Sequence, residues 1–67
     1  MNRFNVAFKG AGGARVRWIQ RRLGVAANGK FDAATEGAVR AFQDDNDLVS
    51  DGVVGPRTFA YLARVAP

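Results

Sequence analysis

The sequence predicts an all-α fold: a small compact three-helix bundle built from two loop-helix repeats and led by a short extended segment. Three observations predict it. Apolar residues recur at helical spacing in three separate stretches. Gly, Asn, Asp and Pro punctuate the chain between those stretches. Finally, "NGKFDAAT" at residues 28–35 is echoed by "DGVVGPRT" at residues 51–58, a shift of 23 residues, from 28 to 51. The chain is 67 residues long, which suits one domain spanning 1–67, with an N-terminal extended segment at 1–9 and a core at 10–66.

Each element follows from local chemistry. Phe4, Val6 and Phe8 alternate, as in an extended segment with one buried face. "GAGGA" is a loop, and Arg15 stands where a dinucleotide-binding loop would need its last Gly. The first helix is predicted at residues 14–23, with Gly13 at its N-cap, Gly24 just past its end, and Val16, Ile19 and Leu23 on one stripe bordered by Gln20. Asn28-Gly29 is a turn, and Asp32 caps a second helix at 33–44, where Glu36 suits the positive end of the helix dipole. The second helix points Thr35, Ala38, Val39 and Phe42 inward, and Leu48 anchors the segment that follows. Asp51-Gly52 is the second turn. Gly55 and Pro56 open a third helix at 56–65, with Phe59, Leu62 and Val65 or Ala66 facing the core. In both repeats a turn leads through one apolar residue to an N-cap, and a Thr follows at the third helical position.

Composition excludes several functions. There is no Cys and no His, so disulfides, thiolate zinc sites and the commonest general base are all absent. Ser50 is the only Ser and has no His partner, and Glu36 is the only Glu, explained by its place in a first helical turn. Asp44, Asp45, Asp47 and Asp51 do not fit a calcium loop, because Val49 and Thr58 fall at ligand positions when counting from Asp47. The chain is therefore expected to be non-enzymatic, with no metal or cofactor. No apolar run approaches membrane-spanning length, and the first ten residues are too short and too broken by Asn for a signal peptide.

Charge is laid out unevenly. Net charge is +4, yet all seven charged residues up to Phe31 are basic, while six acids and three bases follow. A basic first half suggests an anionic partner: nucleic acid, an acidic lipid surface or an acidic wall polymer.

The ordered motifs match a known family. Gly10 to Val16, Ile19-Gln20, "NGKFDAAT", "AVRAFQ" at 38–43 and "DGVVGPRT" follow one another over residues 10–65. In this the chain resembles the bacterial and phage peptidoglycan-binding domain found at the ends of cell-wall hydrolases and endolysins. It departs from the family's pattern at Asn28, which stands for an Asp, at Asp32, which stands for a Gly, and at Asp47, where a Gly often precedes Leu. The resemblance implies a three-helix module that binds peptidoglycan without catalysis and targets a hydrolase or phage component to the wall. It implies a monomer that acts in the wall or periplasm, reached by phage lysis or within a larger secreted protein. It also implies that the two loops shape one shallow surface, to which Asn28 and Asp51 belong.

Six further residues complete the candidate ligand set. Trp18 is either a platform for a sugar face or packed beneath the N-terminal segment against Phe4 or Phe8, and the second is preferred because that segment needs apolar cover. Arg15 and Arg22 flank it on the helix and suit carboxylates or phosphates, and Lys30 in the first loop adds to their field. Arg17 and Arg21 extend the same face. Gln43 either bonds a glycan or stem peptide or caps a loop carbonyl. Tyr61 sits at the rim of the site or half-buried in the core. Two other functions compete: a small basic nucleic-acid-binding protein, with the Arg-rich first helix on phosphates, and an adaptor that meets a protein partner.

Overall fold

A computed structural model of the chain describes residues 6–65. Three helices appear in order: α1 at Ala14–Leu23, α2 at Ala33–Asp45 and α3 at Pro56–Ala63. All three begin at the predicted residue. α1 is central and packs against both α2 and α3. Among the described residues there is no strand, only isolated antiparallel bridges joining Ala7 to Val54 and Gly12 to Lys30. Among the described residues, no helix is long and apolar enough to cross a membrane.

The core repeats with the sequence. Val16, Val39 and Leu62 are 23 residues apart in turn, one on each helix, and each is buried. Ile19, Phe31, Val54 and Ala7 complete the buried cluster, and Leu23, Phe42, Phe59 and Trp18 pack around its edge. Each fully buried aliphatic side chain contributes about 1.5–3 kcal/mol. Gln20 does not merely border the α1 stripe. It is 1% exposed, deeper than the partly buried Leu23, because its amide holds the first loop.

The segment ahead of α1 also differs from expectation. Its buried residue is Ala7, whereas Val6 is half-buried and Phe8 is 54% exposed. The register is set by the backbone. Ala7 and Val54 exchange both amide–carbonyl bonds, at 2.9 and 2.7 Å, which turns the Ala7 methyl inward and the Phe8 ring outward. A few residues on, Gly10 donates to the Phe31 carbonyl and Phe31 to that of Ala11. The segment is thus stitched to both loops at equivalent positions, since Phe31 and Val54 correspond in the repeat. Phe4 and Ala66 lie outside the described residues.

Two buried glutamines build the loops. Gln20 Oε1 accepts from the Gly29 N–H at 2.9 Å, and Gln20 Nε2 lies 3.0, 2.9 and 3.0 Å from Asn28 Oδ1, the Lys30 carbonyl and Thr35 Oγ1. Gln43 repeats the arrangement 23 residues later. Its Oε1 accepts from Gly52 N–H at 3.0 Å, and its Nε2 lies 3.1, 3.0 and 3.2 Å from Asp51 Oδ1, the Val53 carbonyl and Thr58 Oγ1. Two amide protons serve three oxygens in each case, so one bond is shared. Asn28 and Asp51 also accept from the backbone two residues on, closing the turns from the outer side. Gly29 and Gly52 have φ of 79° and 75° and are buried. A methyl group on Gly52 would lie 2.9 Å from the Glu36 side chain, so the turn closes down on α2 only because that residue is Gly.

Helix ends explain the boundaries. Asp32 caps α2 by accepting from Thr35 N–H at 3.2 Å. α1 and α2 both end in paired 6→1 and 5→2 backbone bonds: Val25 to Gln20 and Gly24 to Arg21, then Leu48 to Gln43 and Asp47 to Asp44. The left-handed residue is Gly24 in the first and Asp47, at φ 57°, in the second. α3 stops at Ala63, two residues short of the predicted end. There Arg64 and Val65 bond three residues back, and the Arg22 guanidinium takes the Ala63 and Val65 carbonyls at 3.3 and 2.6 Å.

Three outcomes follow for stability. Asp47→Gly relieves a left-handed non-glycine and should raise stability by about 1 kcal/mol, read as a higher urea midpoint at unchanged slope. Gln43→Leu strands the Gly52 amide and Val53 carbonyl. It should cost about 2–4 kcal/mol, a large fraction of the stability of a domain of this size. Asp51→Asn should cost under about 0.5 kcal/mol in the same unfolding measurement, because Asn28 already performs that task in the first loop.

Candidate functional site

Among the described residues, a concave surface lies beside the second loop. An open groove of about 210 Å³ is lined by Leu48, Val49, Val53, Gly55, Pro56 and Arg57, with Gln43, Asp51 and Thr58 at its inner wall. Each part has a local origin. The α2 terminus turns Leu48 half inward and leaves Val49 76% exposed at the lip. Gln43 pins the Val53 carbonyl, which sets the angle of the loop above the groove. Gly55 starts α3 without a side-chain cap, Pro56 follows, and the Arg57 side chain is exposed. The Arg40 guanidinium donates to the Ser50 carbonyl while Ser50 Oγ donates to the Arg40 carbonyl, so α2 also holds the start of the loop. The site offers an apolar lining, one exposed cation and a carboxylate already engaged by two donors.

A second group of candidate residues lies on the outer side of α1. Trp18 is half-buried, and its ring partner is Phe59 of α3, with centroids 5.7 Å apart. Phe59 therefore supplies the apolar cover expected from Phe8, because α3 crosses α1 at that point and Phe8 turns to solvent. The Arg22 guanidinium lies 4.7 Å from the Trp18 ring centroid while bonding the end of α3, so it is sandwiched between an aromatic face and two carbonyls. Arg15 and Lys30 are exposed, and neither makes an ion pair among the described residues. Tyr61 is half-buried with the Arg64 guanidinium 5.0 Å from its ring centroid, and it does not line the groove.

The structure thus separates the eight candidates. Gln43 and Asp51 meet at the groove, and Asn28 holds the same place in the first loop as Asp51 does in the second. Trp18 and Arg22 form a stack, Arg15 and Lys30 stand in solvent, and Tyr61 is apart. Sequence reasoning missed Gln20, Val49, Val53 and Arg57. Gln20 had a signal: the 23-residue shift carries Gln43 back onto it. Val49, Val53 and Arg57 had none, since a groove is made by the spacing between elements. Among the described residues, no group of three or more His, Cys, Asp or Glu side chains could hold a metal ion.

Comparison with known proteins agrees with this architecture. A family profile described as a peptidoglycan binding domain matches residues 12–62. The zinc D-Ala-D-Ala carboxypeptidase of Streptomyces albus G is 37% identical over 59 residues, covering 76% of this chain and 23% of the enzyme. The crystal structure of the SleB N-terminal domain superposes with a TM-score of 0.85 at 32% identity, covering 88% of this chain and 89% of that one. The endolysin of Burkholderia phage AP3 superposes with a TM-score of 0.86 at 34% identity, covering 90% of this chain and 25% of that one. The chain therefore spans about a quarter of the carboxypeptidase and of the endolysin. None of these likenesses supports a nucleic-acid role. Sequence profile and fold together place this chain in the peptidoglycan-binding domain family, and bacterial cell-wall peptidoglycan is what the module binds.

Proposed function

We propose that the wall contact is made in the groove beside the second loop and that its target is the stem peptide rather than the glycan strand. The observation that carries this is the lining: the apolar side chains of Leu48, Val49, Val53 and Pro56, with the exposed Arg57 among them. An alanine methyl of a stem peptide suits that lining, and a peptide carboxylate suits the guanidinium. A sugar face needs an open aromatic platform. Trp18 carries Arg22 on its ring, Tyr61 carries Arg64, and neither ring lines the groove.

The module works without catalysis, as a monomer at the wall or in the periplasm, and holds a hydrolase or phage component against its substrate. Two features support the first point. Glu36 is paired with Arg40, and the Ser50 hydroxyl is spent on a backbone carbonyl, so each has a structural task. The length of the relatives supports the last point, since the module is one part of larger wall enzymes and lysins.

A pull-down on purified sacculi, stripped of attached polymers, tests the reading. Retention should survive high salt and should vanish when an amidase has removed the stem peptides. Val49→Asp, at an exposed position, should leave the unfolding midpoint within about 0.5 kcal/mol and weaken retention roughly tenfold, about 1.4 kcal/mol. Full retention on peptide-free glycan would overturn the assignment to stem peptide.

A further inference from the structure

We propose that the outer face of α1, with Lys30 of the first loop, is a second binding surface, and that it takes a phosphodiester-bearing anionic polymer of the wall. The residues are Arg17 and Arg21, four apart on one helix face, Lys30 of the loop, and Arg15 on the other flank of the helix, all exposed. Among the described residues the one ion pair is Arg40 with Glu36, at 4.0 Å, so none of these four cations is neutralised there.

The internal repeat acts as a control. Arg17 and Arg40 are equivalent positions, and each guanidinium lies across the glycine of its loop, Gly29 or Gly52. In the second copy Glu36 neutralises the arginine. In the first copy the position equivalent to Glu36 is Gly13, and Arg17 is left without a counter-charge. Arg21 corresponds to Asp44, and Lys30 to the groove-lining Val53. At two of these places, Arg21 and Lys30, the second copy is built with Asp44 and Val53, so the fold does not demand those cations, whereas the arginine over the loop glycine recurs in both copies.

Two of the cations are also placed against the interest of the helix, although Arg21, in the last turn, is not. α1 has no acid in its first turn and no side-chain cap, yet Arg15 and Arg17 lie near its positive end. Arg17 and Arg21 stand four residues apart, a repelling pair on one helix face. A bound polyanion relieves both penalties. Guanidinium forks match phosphate oxygens, and a ladder of charges suits a repeating polymer better than a single carboxylate. The face offers no free ring for base stacking, because Trp18 is covered by Arg22 and packed on Phe59. That favours a polymer read through its phosphodiesters over a single-stranded nucleic acid.

This surface is independent of the groove, and the test keeps the two apart. Sacculi that retain their phosphodiester polymer are compared with sacculi from which hydrofluoric acid has removed it. Wild-type protein should bind the polymer-bearing form about tenfold more tightly at low salt, and the difference should collapse as salt rises. The variant Arg17→Gln/Arg21→Gln/Lys30→Gln should bind both forms alike. Arg15→Glu supplies a readout that a merely structural face would not give: the melting temperature should rise by about 2–6 °C while the polymer-dependent part of binding falls. Equal wild-type binding to both forms, or a triple variant that keeps the advantage, overturns the proposal. So does duplex DNA that displaces the protein at lower phosphate concentration than the free polymer does. Loss of binding to stripped sacculi alone would count against the groove and leave this surface standing.

Discussion

The structure depends on two buried carboxamides. A loop that turns back over a small core exposes its own amides and carbonyls to an apolar interior, and some group must meet them. Glutamine suits the task because one neutral side chain carries both acceptor and donor and reaches across a helix diameter. Gln20 and Gln43 each hold a glycine N–H, a carbonyl, a turn side chain and the Thr of the next helix. A charged residue there would bring a desolvation cost that the carboxamide avoids. The remainder follows from these latches. Phe31 and Val54 can reach the core and pair with the N-terminal segment only because the loops ahead of them are held in place.

The repeat then explains how one scaffold carries two different surfaces. Core positions stay apolar in every copy, as at Val16, Val39 and Leu62, because each must fill the same space. Turn positions keep their chemistry within narrow limits: Asn28 for Asp51, and Gly24 for the left-handed Asp47. Solvent-facing positions are free to differ, and they do. Around the second loop they form a groove with an apolar lining, and around the first they form a cationic face.

For a wall-binding module, such rigidity matters. A loop already held by buried hydrogen bonds loses little conformational entropy when a ligand arrives, so even a shallow groove can return most of its contact energy as affinity. The groove is small, and a single contact in it is weak. On the proposed reading, a wall presents the same peptide many times, and attachment to a larger protein would turn weak contacts into sustained residence.

Much of this was legible in the sequence. Three stretches at helical spacing, two Gly-bearing turns and Gly, Asp or Pro at helix starts depend on residues close together in the chain, so local chemistry determined the fold class and all three helix beginnings. The ordered motifs likewise pointed to the family. What tertiary structure decided was anything that joins distant residues. It decided that α3 ends at Ala63 in i→i−3 bonds from Arg64 and Val65, where Arg22 reaches 43 residues along the chain to the Val65 carbonyl. It decided that Trp18 rests on Phe59, and that Ala7, not Phe8, enters the core, because pairing with Val54 set the register. It placed the groove where α2, the second loop and α3 leave a gap, at Val49, Val53 and Arg57, residues that no local pattern distinguishes. Helical periodicity says which face of a helix is apolar. It cannot say that a polar residue beside that face, Gln20, goes deeper than Leu23, because burial of an amide is decided by partners eight to fifteen residues away that only the folded chain brings within reach.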